Sequence, residues 1–126
     1  MRAGFFILKG LTIMTTLLPK DADNNTIPAL RLADGGAHSL DATASAARNA
    51  IAFSDETKVI SLYATVPVYL KLGDSNVTAT NGDHYFPANI YYDIAITGGA
   101  GKGPHNPHLS VLSVSDAGTL YISEKE

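Results

Sequence analysis

The chain contains no cysteine, which excludes a disulfide frame, a thiolate zinc site and a thiol nucleophile together. Charge is also scarce. Lys and Arg number 9 and Asp and Glu 12, for a formal net charge of −3 without any basic block, so the electrostatic footprint of a nucleic-acid binder is missing. Charged residues make up 17% of the chain against 45% hydrophobic, the balance of a globular protein rather than a disordered one. So few charges cannot cover a surface, and weakly polar faces are expected to meet other subunits. Long hydrophobic runs are absent as well. The apolar start Phe5-Phe6-Ile7-Leu8 is broken by Lys9 and Gly10, well short of the ~20 residues that span a bilayer. No small-x-small cleavage site follows before Pro19, which argues against a signal peptide and a membrane role. Two readings of residues 1–13 stand side by side: an extension upstream of a start at Met14, or an apolar arm that docks on a neighbour.

At 126 residues the chain makes one domain that buries roughly two-thirds of its unfolded surface. Residues 1–36 read as an extended N-terminal arm: Pro19 and Pro28 discourage helix, Asp, Asn and Gly favour turns, and one short strand is expected over 29–32. From residue 37 onward, short alternating runs are separated by turn chemistry. Residues 41–52 are alanine-rich, and Asp41 could cap a helix, but residues 42–50 hold no large apolar side chain for a helix to bury. Two modest strands, 38–44 and 47–53, are preferred, with helix as the alternative.

Residues 58–64 place Ile60 and Leu62 on one face and Val59, Ser61 and Tyr63 on the other. Val66, Val68, Leu70 and Leu72 then oppose Pro67, Tyr69 and Lys71, the period of a half-buried strand. Pro67 has no N–H, so this strand lies at an edge or starts just past it. Asn81-Gly82 suits a tight turn between strands at 77–80 and 84–86. Residues 90–96 put Ile90, Tyr92, Ile94 and Ile96 on one face, and a last hairpin is expected between 108–114 and 119–123 around Ser115-Asp-Ala-Gly118. Roughly seven to nine antiparallel strands without a helix give an all-β fold, a single antiparallel β-sandwich or jelly roll over residues 37–126.

Motifs that carry chemistry are weak. Gly98-Gly-Ala-Gly-Lys-Gly103 lacks the earlier glycine, the Ser or Thr after the lysine and the helix that a phosphate-binding loop needs, so it reads as a surface loop. His105 and His108, flanked by Pro104 and Pro107, are the residues to test if a metal binds, but their spacing is not helical and no third ligand is assignable. The aspartates fit turns and exposed positions, calcium coordination by such loops being the alternative. No serine sits in a Gly-x-Ser-x-Gly elbow, and neither an enzymatic activity nor a cofactor is expected. Asn24-Asn-Thr26 and Asn76-Val-Thr78 match the glycosylation sequon, a pattern frequent by chance. Tyr63, Tyr69, Tyr85, Tyr91, Tyr92 and Tyr121 all fall in expected strands, where outward rings serve cross-strand packing, a subunit contact or sugar stacking.

The order of elements over residues 47–123 resembles small structural proteins of tailed bacteriophages. The resemblance is carried by Val68-Tyr-Leu-Lys-Leu-Gly73, by the turn Asn76-Val-Thr-Ala-Thr80, by the entry Tyr85-Phe-Pro87 and by the closing Gly118-Thr-Leu-Tyr-Ile-Ser123. It covers about 60% of the chain and rests on pattern rather than on an invariant motif. It implies a virion component, a head-decoration or head–tail accessory subunit assembled in the host cytoplasm. Such a subunit acts by binding copies of itself, in a ring or trimer, and other virion proteins such as the major capsid protein, not by chemistry. Expected contact residues are Phe5, Phe6, Ile7 and Leu8, costly to leave in water, together with Pro67, Tyr69, Lys71 and Tyr91. The other class of reading is a carbohydrate- or host-surface-binding module using outward tyrosines or the 97–108 loop; a third is a metal-dependent enzyme around His84, His105 and His108.

Overall fold

The computed structural model describes residues 18–98 and 103–126, so the expected contacts of Phe5, Phe6, Ile7 and Leu8 lie outside the described residues. Within them eight strands form and no helix: β1 (Leu32–Ala42), β2 (Ala47–Arg48), β3 (Val59–Ala64), β4 (Val68–Gly73), β5 (His84–Phe86), β6 (Tyr91–Ala95), β7 (His108–Ser113) and β8 (Gly118–Lys125). They make two antiparallel sheets of four strands, ordered β1-β8-β3-β6 and β2-β7-β4-β5. The pairs β1–β8, β2–β7, β3–β6 and β4–β5 are those of one long hairpin with its tip between β4 and β5, alternate pairs going to alternate sheets.

Period-two alternation builds the core. Leu40, Ile60, Leu62, Leu120 and Ile122 of the first sheet join Val68, Leu70, Phe86, Leu109 and Val111 of the second in one apolar cluster, to which the loop residue Phe53 also belongs. Burying each large side chain contributes ~1.5–3 kcal/mol. The faces expected for β3, β4 and β6 are those observed: Ile60 and Leu62 are fully buried, Tyr69 and Lys71 point away from the core, and Ile96 closes the β6 series inside it. Pro67 stands just ahead of β4, which accommodates its missing N–H; β4 is not an edge strand but lies between β7 and β5.

Several expected elements form differently. The first strand begins at Leu32 rather than covering 29–32, so residues 32–36, assigned to the arm, belong to β1. It crosses Gly35, in the left-handed region at φ 74°, through a register shift between Leu32 and Ala37, a bulge that glycine permits. The strand expected over 47–53 stops at Arg48 because the buried Asn49 turns its polar groups onto the chain. Its Nδ2 donates to Ile51 O (2.8 Å) and its Oδ1 accepts from Leu109 N (2.8 Å). Residues 77–80 form no strand. Ala79 N donates to Ser110 Oγ (2.9 Å) and Arg48 Nη1 to Val77 O (2.6 Å), so side chains take the place of a ladder. Val77 packs onto Gly73, where a Cβ would meet it at 2.9 Å. β7 and β8 are not a hairpin: β7 pairs with β2 and β4 in one sheet, β8 with β1 and β3 in the other.

Candidate functional site

Register sets which side chains share a face. On the outward side of the first sheet, Ser39 lies opposite Tyr121, Tyr121 opposite Tyr63 and Tyr63 opposite Tyr91. Three tyrosines therefore stand in one row over three adjacent strands, ~4.8 Å apart from strand to strand. Tyr121 is 51% exposed and Tyr91 58%; Tyr63 between them is half-buried and donates its hydroxyl to Asn89 Oδ1 (3.1 Å).

The next row is Ala37, Ser123, Ser61 and Asp93, and the one beyond it is Lys125, Val59 and Ala95. Lys125 Nζ reaches Asp93 Oδ1 at 3.1 Å and also lies 5.2 Å from the centre of the Tyr91 ring. The hydrogen bond from Ser61, and then Lys125, hold the Asp93 carboxyl below the usual aspartate range. Burial alone would lower the Lys125 ammonium, but Asp93 and Tyr91 together outweigh it and the group sits above the ordinary lysine value. The cation and anion thus neutralise each other in place, and the face is aromatic and hydroxyl-rich.

The outward side of the second sheet carries a smaller aromatic pair. Tyr69 lies opposite both Tyr85 and Leu112, with the Tyr69 and Tyr85 rings edge-to-face at 6.3 Å. Of the expected contact residues, Tyr69 and Lys71 are on this face while Tyr91 is on the opposite one, so the structure does not bring them together.

Between the edge strands β5 and β6 the two sheets part into a groove of about 490 Å³. Leu62, Leu70, Leu72, Phe86 and Ile94 floor it; Tyr92, His84, Lys71 and Asp83 lie at its rim. Comparison with protein-family models, with curated proteins and with solved structures found no match.

The histidines are dispersed. His105 Nε2 lies 3.1 Å from Thr57 O and His108 Nδ1 2.9 Å from Asn49 O, each held by a carbonyl of a different segment, while His84 is on β5. Among the described residues no three metal-capable side chains converge.

Sequence reasoning missed a buried polar cluster opposite the groove. Glu124 continues the inward series of Leu120 and Ile122 and is buried. Its Oε1 accepts from Thr57 Oγ1 (2.6 Å) and Ser54 N (2.8 Å), and its Oε2 lies 2.7 Å from His38 Nε2. His38 in turn meets the Phe53 ring edge-on at 5.0 Å. Burial pushes the Glu124 carboxyl up, yet the bonds from Thr57, His38 and Ser54 together outweigh it and the group sits below the ordinary glutamate value. Both carboxylate oxygens are engaged, so the cluster ties β1, β8 and the 54–57 turn together. The signal for it was the period: the alternation of β8 runs one step past Ser123.

Proposed function

We propose that the chain is a structural subunit of a bacteriophage virion, a capsid-decoration or head–tail accessory protein. It works by binding copies of itself and other virion proteins, the major capsid protein among them. Its fold is a β-sandwich of jelly-roll kind. The sheet orders β1-β8-β3-β6 and β2-β7-β4-β5 are those of a long hairpin wound into two sheets, an arrangement at home in viral capsid and lectin domains. Fold by itself assigns no function.

The observation that carries the reading is the row Tyr121, Tyr63 and Tyr91 on the outer face of the first sheet, beside a cation and an anion already paired with each other. An aromatic face with its charges neutralised matches the centre of a protein–protein contact, where tyrosine is enriched and unpaired charge is depleted. It suits a small-molecule substrate poorly, since such ligands take concave sites.

The test is co-sedimentation of the purified protein with capsids of the phage that encodes it, alongside its mass in solution. Tyr121→Ala and Tyr91→Ala are each expected to weaken particle binding by about ten-fold or more, the loss of one aromatic anchor, while leaving the far-UV spectrum unchanged. A strictly monomeric protein that ignores particles refutes the proposal. A glycan-array signal lost in the same two variants would give the face to sugar stacking instead.

A further inference from the structure

Among the described residues, β6 is an edge strand without a bulge, a proline or a partner on its outer side. Natural sheets blunt their edges, since a row of free N–H and C=O groups templates pairing with another chain. Of the four sheet edges among the described residues, two are cut short, β2 with two residues and β5 with three; β1 is interrupted by its bulge at Gly35 before the regular run 37–42. β6 has five residues in unbroken register with β3, from Tyr91 opposite Tyr63 to Ala95 opposite Val59. It carries no proline, and its one charge, Asp93, is tied to Lys125 and Ser61 on the outer face.

The approach to that edge is apolar. Ile90, Tyr91 and Tyr92 are 46%, 58% and 57% exposed in direct succession, a run that a solitary surface has no reason to keep. Tyr92 and Ile94 face the groove floored by Leu70, Leu72 and Phe86, which is open where a further strand would place its inward side chains.

We infer that β6 pairs antiparallel with β6 of a second copy about a two-fold axis, joining the two first sheets into one sheet of eight strands and closing both grooves. This rests on the assembly reading above and names the surface through which the chain contacts itself. Register selects the axis. A two-fold normal to the sheet places one residue opposite its own copy. Centring on Asp93 would oppose two carboxylates, which is destabilising. A centre on Tyr91 would call on Asn89, whose φ of 63° takes it out of the strand. A centre on Ile94 would call on Ile96, which is fully buried in the core.

Centring on Tyr92 keeps the whole run from Ile90, one residue ahead of β6, to Ile94 paired, and reaches Asn89 only opposite Ala95, beyond that run. Tyr92 then meets its own copy, and Ile94 comes opposite Ile90 of the second copy. Asp93 faces Tyr91 of the second copy, the ring that carries a lysine ammonium at 5.2 Å in each chain. The pairing is apolar on the groove side and charge-complementary on the outer side, and the seam is isologous, as a closed dimer requires.

A natural absence makes the test clean: the chain has no cysteine. Directly opposed antiparallel residues have Cβ atoms ~4.5–5.5 Å apart, near the range a disulfide spans. The full chain carrying Tyr92→Cys is expected to oxidise to a covalent dimer of twice 13.3 kDa, whereas Ser39→Cys, on β1, stays monomeric in the denaturing gel. Ile94→Lys in the otherwise native chain, which points an ammonium into the seam, is expected to halve the wild-type mass in solution. Its melting curve, read in parallel, shows that the subunit itself remains folded.

A wild-type oligomer that survives Ile94→Lys, with no cross-link through Cys at position 92, overturns the seam while leaving the assembly reading intact. An internal disulfide in the Phe6→Cys/Tyr92→Cys double variant also overturns it, because the chain's own N-terminal segment then fills the groove. A wild type that is monomeric to about 100 μM, some hundred-fold above a ~1 μM dissociation constant, overturns it too, and particle co-sedimentation then decides the assembly reading separately.

Discussion

Replacing Glu124 with alanine removes the acceptor on which three donors converge. Thr57 Oγ1, Ser54 N and the His38 ring bond to this one carboxylate at 2.6, 2.8 and 2.7 Å. Thr57 is 3% exposed, so its hydroxyl is left without its acceptor in a largely desolvated position. A buried donor left unpaired costs about 1–3 kcal/mol, and here three donors lose one acceptor together. For Glu124→Ala we expect a loss of about 3–5 kcal/mol, a large share of the ~5–15 kcal/mol that holds a domain. That corresponds to a fall in Tm of roughly 10–20 °C at this size.

Glu124→Gln separates charge from connectivity. Its amide oxygen still accepts from Thr57 and Ser54, and its NH₂ faces the ring nitrogen of His38, so the loss should be about 1–2 kcal/mol. Because the Glu124 carboxyl is held below its ordinary value of 4.5 in the folded state, its contribution is present above the unfolded value. It is lost as pH falls through the folded one. The gap between wild type and Glu124→Gln should therefore be full at pH 7 and narrow as pH falls below the ordinary glutamate value of 4.5. Urea melts of the three proteins at pH 7 and pH 3.5 provide the measurement. A Glu124→Ala loss under about 1 kcal/mol, or a Gln variant as damaged as the Ala variant at pH 7, refutes the reasoning.

Phe53 lies outside every strand yet is 2% exposed within the core cluster; Phe53→Ala is expected to cost about 3–5 kcal/mol in a denaturant melt, where an ordinary loop residue would cost almost nothing. At Gly118 an added Cβ would meet Val66 Cγ2 at 2.5 Å and Thr65 Oγ1 at 2.7 Å, so Gly118→Ala should lose about 1–3 kcal/mol through overpacking, read as a drop in Tm. Gly35 has open space around it but stands at φ 74°, so Gly35→Ala should destabilise by about 1–2 kcal/mol through backbone strain alone, with no change in oligomeric mass.

The strands most legible in the sequence were those whose burial is decided locally. In β3, Ile60 and Leu62 alternate with Val59, Ser61 and Tyr63, and in β4 Val68, Leu70 and Leu72 alternate with Tyr69 and Lys71; these faces could be read because the side-chain period of a strand is fixed by its pleat. Partner choice was not legible. The 108–114 and 119–123 segments carry the same turn residues whether the chain folds back or crosses to the opposite sheet. What selects the crossing is long-range: β8 fits between β1 and β3, and β7 between β2 and β4.

Residues 77–80 failed for a different reason. Their ladder is replaced by Ser110 and Arg48, side chains ~30 positions away that no local propensity reports. The tyrosines could be assigned to strands, but their alignment into a row depends on registers of β3 with β6 and β8. A slip of one residue would turn every side chain of a strand to the other face.

That dependence on register also explains how one short chain keeps folding and contact apart. Along β8, Leu120 and Ile122 enter the core and Glu124 the polar cluster, while Tyr121, Ser123 and Lys125 face outward. Along β3, Ile60 and Leu62 go inward while Ser61 and Tyr63 hold Asp93 and Asn89 on the outer side. On such a strand, adjacent residues answer to unrelated constraints: the inward set to packing density and satisfied hydrogen bonds, the outward set to whatever lies against the sheet. β6 is where the two sets stop being separate, because its inward residues Tyr92 and Ile94 open onto the groove instead of closed core. Among the described residues, β6 places two adjacent exposed rings, Tyr91 and Tyr92, on opposite faces of one edge strand, and that coincidence gives β6 more weight than either face alone.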